Sequence, residues 1–119
     1  MNYGHTFGHA IESATDFAIP HGIAVSIGMD MANFIACKFG FATFEVYQRM
    51  HTVLEMNYFS FKGKRIDGEK FLSAISKDKK NVDDRVKIIA PDKDGKIKQY
   101  FCQNNTLFKD LCLEYLNSY

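Results

Sequence analysis

The chain has 119 residues, enough for one domain with one hydrophobic core and too few for two ordinary domains. Hydrophobic residues make up 46% and charged residues 24% of the sequence, proportions of a soluble globular protein and unlike those of a disordered chain. The formal net charge of +1 provides no overall electrostatic attraction to nucleic acid or to an anionic membrane. We therefore expect no nucleic-acid or membrane partner.

The cysteines Cys37, Cys102 and Cys112 are an odd, widely spaced set without a CxxC pair. They form neither a disulfide framework nor a thiolate zinc site, which favours reduced thiols and a cytoplasmic location. The N-terminus lacks the basic, apolar and small-residue regions of a signal peptide. The most apolar run, residues 22–44, is interrupted by charged residues such as Asp30, so it indicates a core helix rather than a membrane span.

The first half of the chain has the pattern of three helices. Apolar residues at three- and four-residue steps predict a helix from Thr6 to about Thr15, and Pro20 forces a break after it. A second helix, apolar nearly all round and therefore buried on most faces, is predicted from Gly22 to Lys38, with Gly40 marking its end. A third helix is predicted from about Phe44 to Met56.

The second half combines helices with a hairpin. A loop from Phe59 to Gly68 precedes a fourth helix, whose N-cap we expect to be Asp67. Two β-like runs, Val86–Ala90 and Ile97–Cys102, flank a turn cluster and predict a small hairpin. A last helix is predicted from Thr106 to Leu116, with a buried face formed by Leu107, Phe108, Leu111, Tyr115 and Leu116. The predicted fold class is mainly α with a small β-hairpin.

Three of the four histidines fall within the first 21 residues. His5 and His9 are four residues apart, so on a helix both rings lie on one face, and Glu12 falls on roughly the same face. A zinc site needs at least three protein ligands, and His21 can supply another if the turn at Pro20 folds the chain back. A mixed set of imidazoles and carboxylates suits zinc or a similar divalent ion, whereas the lack of cysteine ligands argues against an iron–sulfur cluster.

Other interpretations of these residues stay open. The spacing differs from the H-E-x-x-H pattern of zinc proteases, because the general-base glutamate is missing between His5 and His9. A pair of histidines at this spacing can also be incidental, and Glu12 is expected to form hydrogen bonds on the helix face rather than to bind a metal. His51, on the third helix, is expected to be a solvated surface residue.

The histidines belong to a longer pattern. It begins as N-Y-G-H-T-F-G-H-A-I-E from Asn2 to Glu12 and continues as H-G-x-A-V-x-I-G-M from His21 to Met29. These stretches closely resemble the helical C-terminal domain of 3-dehydroquinate synthase and related sugar-phosphate cyclases. A D-K-K segment at residues 78–80, followed by a short strand, is similar to the same family. The resemblance is weak from Pro91 to the end.

The resemblance implies roles for individual residues. His5 and His21 match the two histidines that bind the catalytic zinc (or cobalt) ion of the family, and His9 matches a histidine that contacts substrate and takes part in proton transfer. Asn2 matches an asparagine that hydrogen-bonds substrate. Lys79, or the lysine that follows it, matches the basic residue near the substrate phosphate.

The family reaction converts 3-deoxy-arabino-heptulosonate 7-phosphate into 3-dehydroquinate and phosphate, in the shikimate pathway of aromatic amino acid biosynthesis. It uses catalytic NAD, and zinc polarises the hydroxyl or carbonyl that is oxidised and re-reduced. The resemblance also implies a lyase that forms a homodimer and takes a sugar phosphate as substrate.

The chain departs from the family in three respects. The NAD-binding N-terminal domain and the glutamate that supplies the third zinc ligand are absent, and Ile23 stands where the family usually has glutamate. We therefore expect residues 1–119 to be a single domain, the zinc- and substrate-binding C-terminal part of a larger two-domain enzyme, inactive by itself and without cofactor-binding residues. The alternatives are another sugar-phosphate cyclase or a non-catalytic module that binds metal or oligomerises.

Overall fold

The computed structural model describes residues 3–77 and 84–119, and these form five α-helices and one β-hairpin. In chain order the elements are α1 (His5–Ala14), α2 (His21–Lys38), α3 (Phe44–Tyr58), a short 3-10 helix (Phe59–Phe61), α4 (Gly68–Lys77), β1 (Arg85–Pro91), β2 (Ile97–Gln103) and α5 (Thr106–Ser118). The predicted fold class, mainly α with a small hairpin, is confirmed. The 3-10 helix lies where the sequence predicts only a loop.

Helix α2 lies at the centre of the fold and packs against α1, α3, α5 and β1. Its apolar side chains are distributed around the whole helix, so most of its faces can be buried, as the sequence predicts. Two polar residues of α2, Asp30 and Asn33, are also fully buried. Within residues 3–77 and 84–119, no helix combines the length and the apolar character needed to cross a membrane.

Three stacked phenylalanines fix α1 to the C-terminal helices. Phe7 of α1 packs against Phe71 of α4 and Phe108 of α5, with ring centroids 6.0 and 6.3 Å apart, and all three rings are buried. Burial of each such side chain stabilises the fold by about 1.5–3 kcal/mol relative to exposure. The helix that carries His5 and His9 is therefore held rigidly on the core.

The hairpin pairs β1 with β2 in antiparallel register, with Val86 opposite Cys102. Its turn is closed by Asp92, whose Oδ1 accepts hydrogen bonds from the backbone N–H groups of Asp94 (2.9 Å) and Lys96 (3.0 Å). The buried residues of β1 face the core, while β2 is mostly exposed. The hairpin thus covers one side of α2.

The N-terminal ends of α4 and α5 test the predicted N-cap at Asp67 and the predicted burial of Leu107. Asp67 Oδ1 accepts hydrogen bonds from the backbone N–H groups of Glu69 (2.9 Å) and Lys70 (3.2 Å), which confirms Asp67 as the N-cap of α4. The predicted burial of Leu107 is wrong, since its side chain is 56% exposed. It precedes the buried Phe108 and so lies about 100° around the helix from the buried face.

Candidate metal centre

Glycines bring α1 and α2 into backbone contact. A Cβ atom at Gly28 would lie 2.3 Å from the carbonyl oxygen of Gly4 and 2.7 Å from the backbone nitrogen of Gly8. Gly4, at the start of α1, has a φ of +77°, a conformation that glycine adopts without steric cost. Because no side chain separates the two backbones, the start of α1 lies directly against the middle of α2, and the end of α1 reaches the first turn of α2.

This antiparallel arrangement brings the three predicted histidines together. The ring centroids of His5 and His9 are 5.5 Å apart, those of His5 and His21 are 5.6 Å apart, and those of His9 and His21 are 6.1 Å apart. The rings of His9 and His21 are exposed, whereas His5 is half-buried. The turn at Pro20 therefore folds the chain back in the way that a shared site requires.

The ring of His5 is oriented by the backbone beside it. Its Nδ1 lies 3.2 Å from the carbonyl oxygen of Tyr3. A carbonyl oxygen can only accept, so Nδ1 is the donor of this contact, and in the neutral form of the ring Nε2 is the nitrogen with a free lone pair. Tyr3 is itself anchored, because its hydroxyl donates to Oδ1 of Asn33 on α2. Burial raises the pKa of Tyr3 to about 12, so this hydroxyl keeps its proton at neutral pH.

The ring of His21 is oriented by a carboxylate on α1. Its Nδ1 lies 3.1 Å from Oε1 of Glu12, and Glu12 is only 7% exposed. The predicted hydrogen bonding of Glu12 is confirmed, but its burial could not be read from the helix-face pattern alone. Both histidines that the resemblance predicts to be metal ligands, His5 and His21, thus have an acceptor within hydrogen-bond distance of Nδ1.

The donor set fits a divalent cation. One ligand atom from each of His9, Glu12 and His21 can be chosen so that the three lie within 4.8 Å of one another, and the ring of His5 adjoins this group. Imidazole nitrogens combined with a carboxylate are ligands that Zn²⁺ and Co²⁺ accept. Which of these groups bind metal stays a prediction.

The predicted substrate-binding residues, Asn2 and Lys79, lie outside the described residues, and so do Asp78 and Lys80. Ile23, where the resemblance leads us to expect glutamate, is half-buried and packs against the hydrophobic core.

A buried polar cluster around Asp30 was missed by the sequence analysis. Asp30 Oδ1 lies 2.8 Å from Nδ1 of His51, and Oδ2 accepts hydrogen bonds from the hydroxyls of Tyr58 (2.8 Å) and Tyr115 (2.7 Å). The prediction that His51 is a solvated surface residue is wrong, because its ring is 30% exposed and also contacts Glu55. The available signal was Asp30 itself, since an acid in a helix that is apolar all round requires buried partners.

The tyrosines of this cluster act as permanent donors. Burial, together with the negative charge of Asp30, raises the pKa of both Tyr58 and Tyr115 well above the ordinary tyrosine value. Both hydroxyls therefore stay protonated at neutral pH and donate to the carboxylate.

Comparison with known proteins identifies relatives of the chain. Residues 1–81 match the 3-dehydroquinate synthase C-terminal family. The 3-dehydroquinate synthase of Helicobacter pylori strain P12 is 45% identical over 92 residues, which are 76% of this chain and 27% of that enzyme. The 3-dehydroquinate synthase of Dictyoglomus turgidum is 37% identical over 100 residues, which are 82% of this chain and 28% of that enzyme. The chain thus spans about a quarter of the length of these relatives.

A solved structure extends the similarity to nearly the whole chain. The crystal structure of 2-deoxy-scyllo-inosose synthase complexed with carbaglucose-6-phosphate, NAD+ and Co2+ superposes with a TM-score of 0.79 at 25% identity. It covers 95% of this chain and 34% of the other. The match over residues 1–81 includes the three clustered histidines, and the chain therefore belongs to the 3-dehydroquinate synthase C-terminal family.

Proposed function

We propose that this chain is the metal- and substrate-binding C-terminal part of a 3-dehydroquinate synthase, a cytoplasmic, phosphate-eliminating lyase of the shikimate pathway. The parent enzyme converts 3-deoxy-arabino-heptulosonate 7-phosphate into 3-dehydroquinate and phosphate as a homodimer. The observation that carries this proposal is the clustering of His5, His9 and His21 on two helices in backbone contact. Support also comes from the 45% identity to the Helicobacter pylori enzyme.

Each histidine has a separate task in the proposed mechanism. His5 and His21 hold a divalent cation, Zn²⁺ or Co²⁺, through their Nε2 atoms, because an acceptor occupies Nδ1 of each ring. When bound, the ion polarises the substrate hydroxyl or carbonyl that is oxidised and reduced again. His9 is exposed beside both ligands, so its ring can exchange a proton with substrate.

Asn2 and Lys79 complete the substrate site in this proposal. The amide of Asn2 hydrogen-bonds the sugar, and Lys79, or the lysine after it, attracts the phosphate. The sequence contains no glycine-rich phosphate-binding loop, so these residues are not proposed to bind NAD. The NAD site is proposed to lie in the part of the parent enzyme that corresponds to the remaining length of the relatives.

A second candidate is a related cyclase with a different product. It is supported by the structural similarity to 2-deoxy-scyllo-inosose synthase, which extends over 95% of the chain at 25% identity. The two candidates share the metal site and differ in the sugar phosphate that they take. Once the chain is combined with the remaining portion of a relative, turnover of the sugar phosphate that each candidate takes distinguishes the two candidates.

Metal titration of single-histidine variants tests the proposed ligands. Zn²⁺ is titrated into the chain in competition with a weak chromophoric chelator, and weak binding of one ion is expected, because the two proposed histidine ligands fall short of the three protein ligands of a catalytic zinc site. His5→Ala and His21→Ala should each weaken the affinity by at least about tenfold, because a direct ligand contributes no less than an outer-shell partner. His9→Ala should stay within a few-fold of the unaltered chain.

His51→Gln is the matched control, since it alters a histidine outside the cluster, and circular dichroism verifies the fold of every variant. Unchanged Zn²⁺ affinity in both His5→Ala and His21→Ala would contradict the proposed site. A loss in His9→Ala as large as that in His5→Ala would make His9 a ligand instead of a proton-transfer group.

A further inference from the structure

We infer that Glu12 is a positioning residue of the metal centre: its carboxylate keeps the proton of His21 on Nδ1 and so directs Nε2 toward the metal. The inference rests on the proposed function, because it requires that His21 is a ligand. The observation behind it is the contact of 3.1 Å between Glu12 Oε1 and His21 Nδ1, made by a carboxylate that is 7% exposed. Glu12 itself is not required to touch the ion.

The chemistry of the pair fixes the tautomer. An ionised carboxylate has only acceptor oxygens, so the hydrogen of this contact must belong to the imidazole. Once Nδ1 carries the proton, Nε2 is the only ring nitrogen of a neutral His21 with a lone pair for a metal. A ligand histidine that donates its other N–H to a carboxylate is also a more basic ligand.

The position of Glu12 makes the contact rigid. Glu12 lies in the last turns of α1, whose Phe7 is locked in the aromatic core, whereas the ring of His21 is 57% exposed at the start of α2. An exposed ring would otherwise sample several rotamers. Glu12, which is fixed by the packing of α1, therefore restricts the orientation of the exposed ring of His21.

The negative charge of the buried Glu12 carboxylate also favours a cation near it. Among residues 3–77 and 84–119, the ion-pair partner of its carboxylate is His21, and no lysine or arginine nitrogen lies within 4.0 Å. A buried carboxylate is unfavourable unless positive charge lies near it. A divalent cation on His21 would supply that charge through the ring.

His5 shows the same arrangement with a different acceptor. Its Nδ1 is held by the carbonyl oxygen of Tyr3 at 3.2 Å, and this contact cannot be removed by a side-chain substitution. Of the two contacts that orient the rings, only the one between Glu12 and His21 can therefore be removed by substituting the acceptor side chain.

The first experiment measures Zn²⁺ affinity in a double-mutant cycle of the whole chain. Glu12→Gln preserves the shape of the side chain and should weaken the affinity about 10–100-fold, the range for outer-shell partners of metal ligands. In the background of His21→Ala, the same substitution should change the affinity less than about twofold, because a residue that acts through His21 has nothing left to orient. Glu55→Gln, which removes another glutamate–histidine contact, is the matched control and should have no effect.

Three outcomes are distinguishable. Unchanged affinity in Glu12→Gln overturns the inference alone, and so do losses that multiply in the double variant, since these would make Glu12 an independent ligand. If the unaltered chain binds no Zn²⁺, the inference is overturned, because His21 is then not a metal ligand of this chain, whereas the proposed function is overturned only if the complementation described in the Discussion also fails. The absorption spectrum of bound Co²⁺ gives a second readout, because a reoriented imidazole changes the ligand field whereas a loss of stability does not.

A measurement on the unaltered chain keeps the inference testable if Glu12→Gln does not fold. Nitrogen-15 NMR of the metal-free chain at about pH 8, where histidine is ordinarily neutral, reports which ring nitrogen carries the proton. The expected result is the proton on Nδ1 of His21. A proton on Nε2 would overturn the inference.

Discussion

The carboxylate of Asp30 joins three helices through single side chains. It lies on α2, receives hydrogen bonds from His51 and Tyr58 of α3, and receives another from Tyr115 of α5. With none of its surface exposed, it is satisfied entirely by these protein partners. Asp30 therefore links both α3 and α5 to α2, in addition to the apolar contacts between these helices.

Replacement of Asp30 by alanine should destabilise the chain strongly. Asp30→Ala leaves two buried hydroxyls and an imidazole without their acceptor, so we expect the free energy of unfolding to fall by about 3–5 kcal/mol. Urea denaturation followed by circular dichroism measures the change. Asp110→Ala, at an exposed aspartate of α5, is the control and should stay within about 0.5 kcal/mol. A loss in Asp30→Ala no larger than that of the control would contradict this role.

Individual site residues were predictable to different extents. His5, His9 and Glu12 are close in sequence, so helical spacing alone places them on one face. The partners of Asp30 are 21, 28 and 85 residues away from it. Which of those side chains meet depends on how α3 and α5 cross α2, and no local pattern specifies that crossing. The environment of His51 was mispredicted for the same reason.

At the scale of elements, the contact between α1 and α2 determines the geometry of the site. Periodicity and the break at Pro20 were sufficient to predict both helices. The sequence did not indicate how closely the two helices meet, because the contacting residues, Gly8 and Gly28, lie in different helices. The structure shows that backbone meets backbone there, with no space for a side chain.

An added methyl group at this contact should disturb stability and the site together. Gly28→Ala would place Cβ 2.3 Å from the carbonyl oxygen of Gly4, and because backbone atoms cannot move aside locally, α1 must shift away from α2. We expect a loss of about 1–3 kcal/mol in the free energy of unfolding, the usual cost of overpacking. Zn²⁺ affinity should also fall, since His5 and His9 move with α1. Urea denaturation and chelator competition measure the two effects.

Gly22→Ala is the matched control within the same helix. A Cβ atom there meets nothing within 4 Å, so the helix should gain up to about 1 kcal/mol from the better propensity of alanine. Equal stability of Gly28→Ala and Gly22→Ala would mean that the close contact of α1 with α2 does not constrain the fold.

At the scale of the whole molecule, the chain spans about a quarter of the length of its relatives, and the proposed metal site is short of ligands within it. Among the residues that the structure describes, five large apolar side chains are each more than 60% exposed: Phe17, Phe44, Val53, Met56 and Phe59. The two proposed histidine ligands, His5 and His21, alone fall short of the three protein ligands of a catalytic zinc site. Both features are consistent with the proposal that this chain works within a larger enzyme.

Complementation tests this dependence. The chain alone should show no turnover of 3-deoxy-arabino-heptulosonate 7-phosphate with NAD, since it has no NAD-binding motif and an incomplete ligand set. Mixing it with the portion of the Helicobacter pylori 3-dehydroquinate synthase that precedes the matched 92 residues should produce phosphate release and tighten Zn²⁺ binding. The same mixture made with His21→Ala should stay inactive, because it lacks a metal ligand although the helices are intact. Turnover by the chain alone would contradict the proposed division of the active site, and so would activity in the His21→Ala mixture.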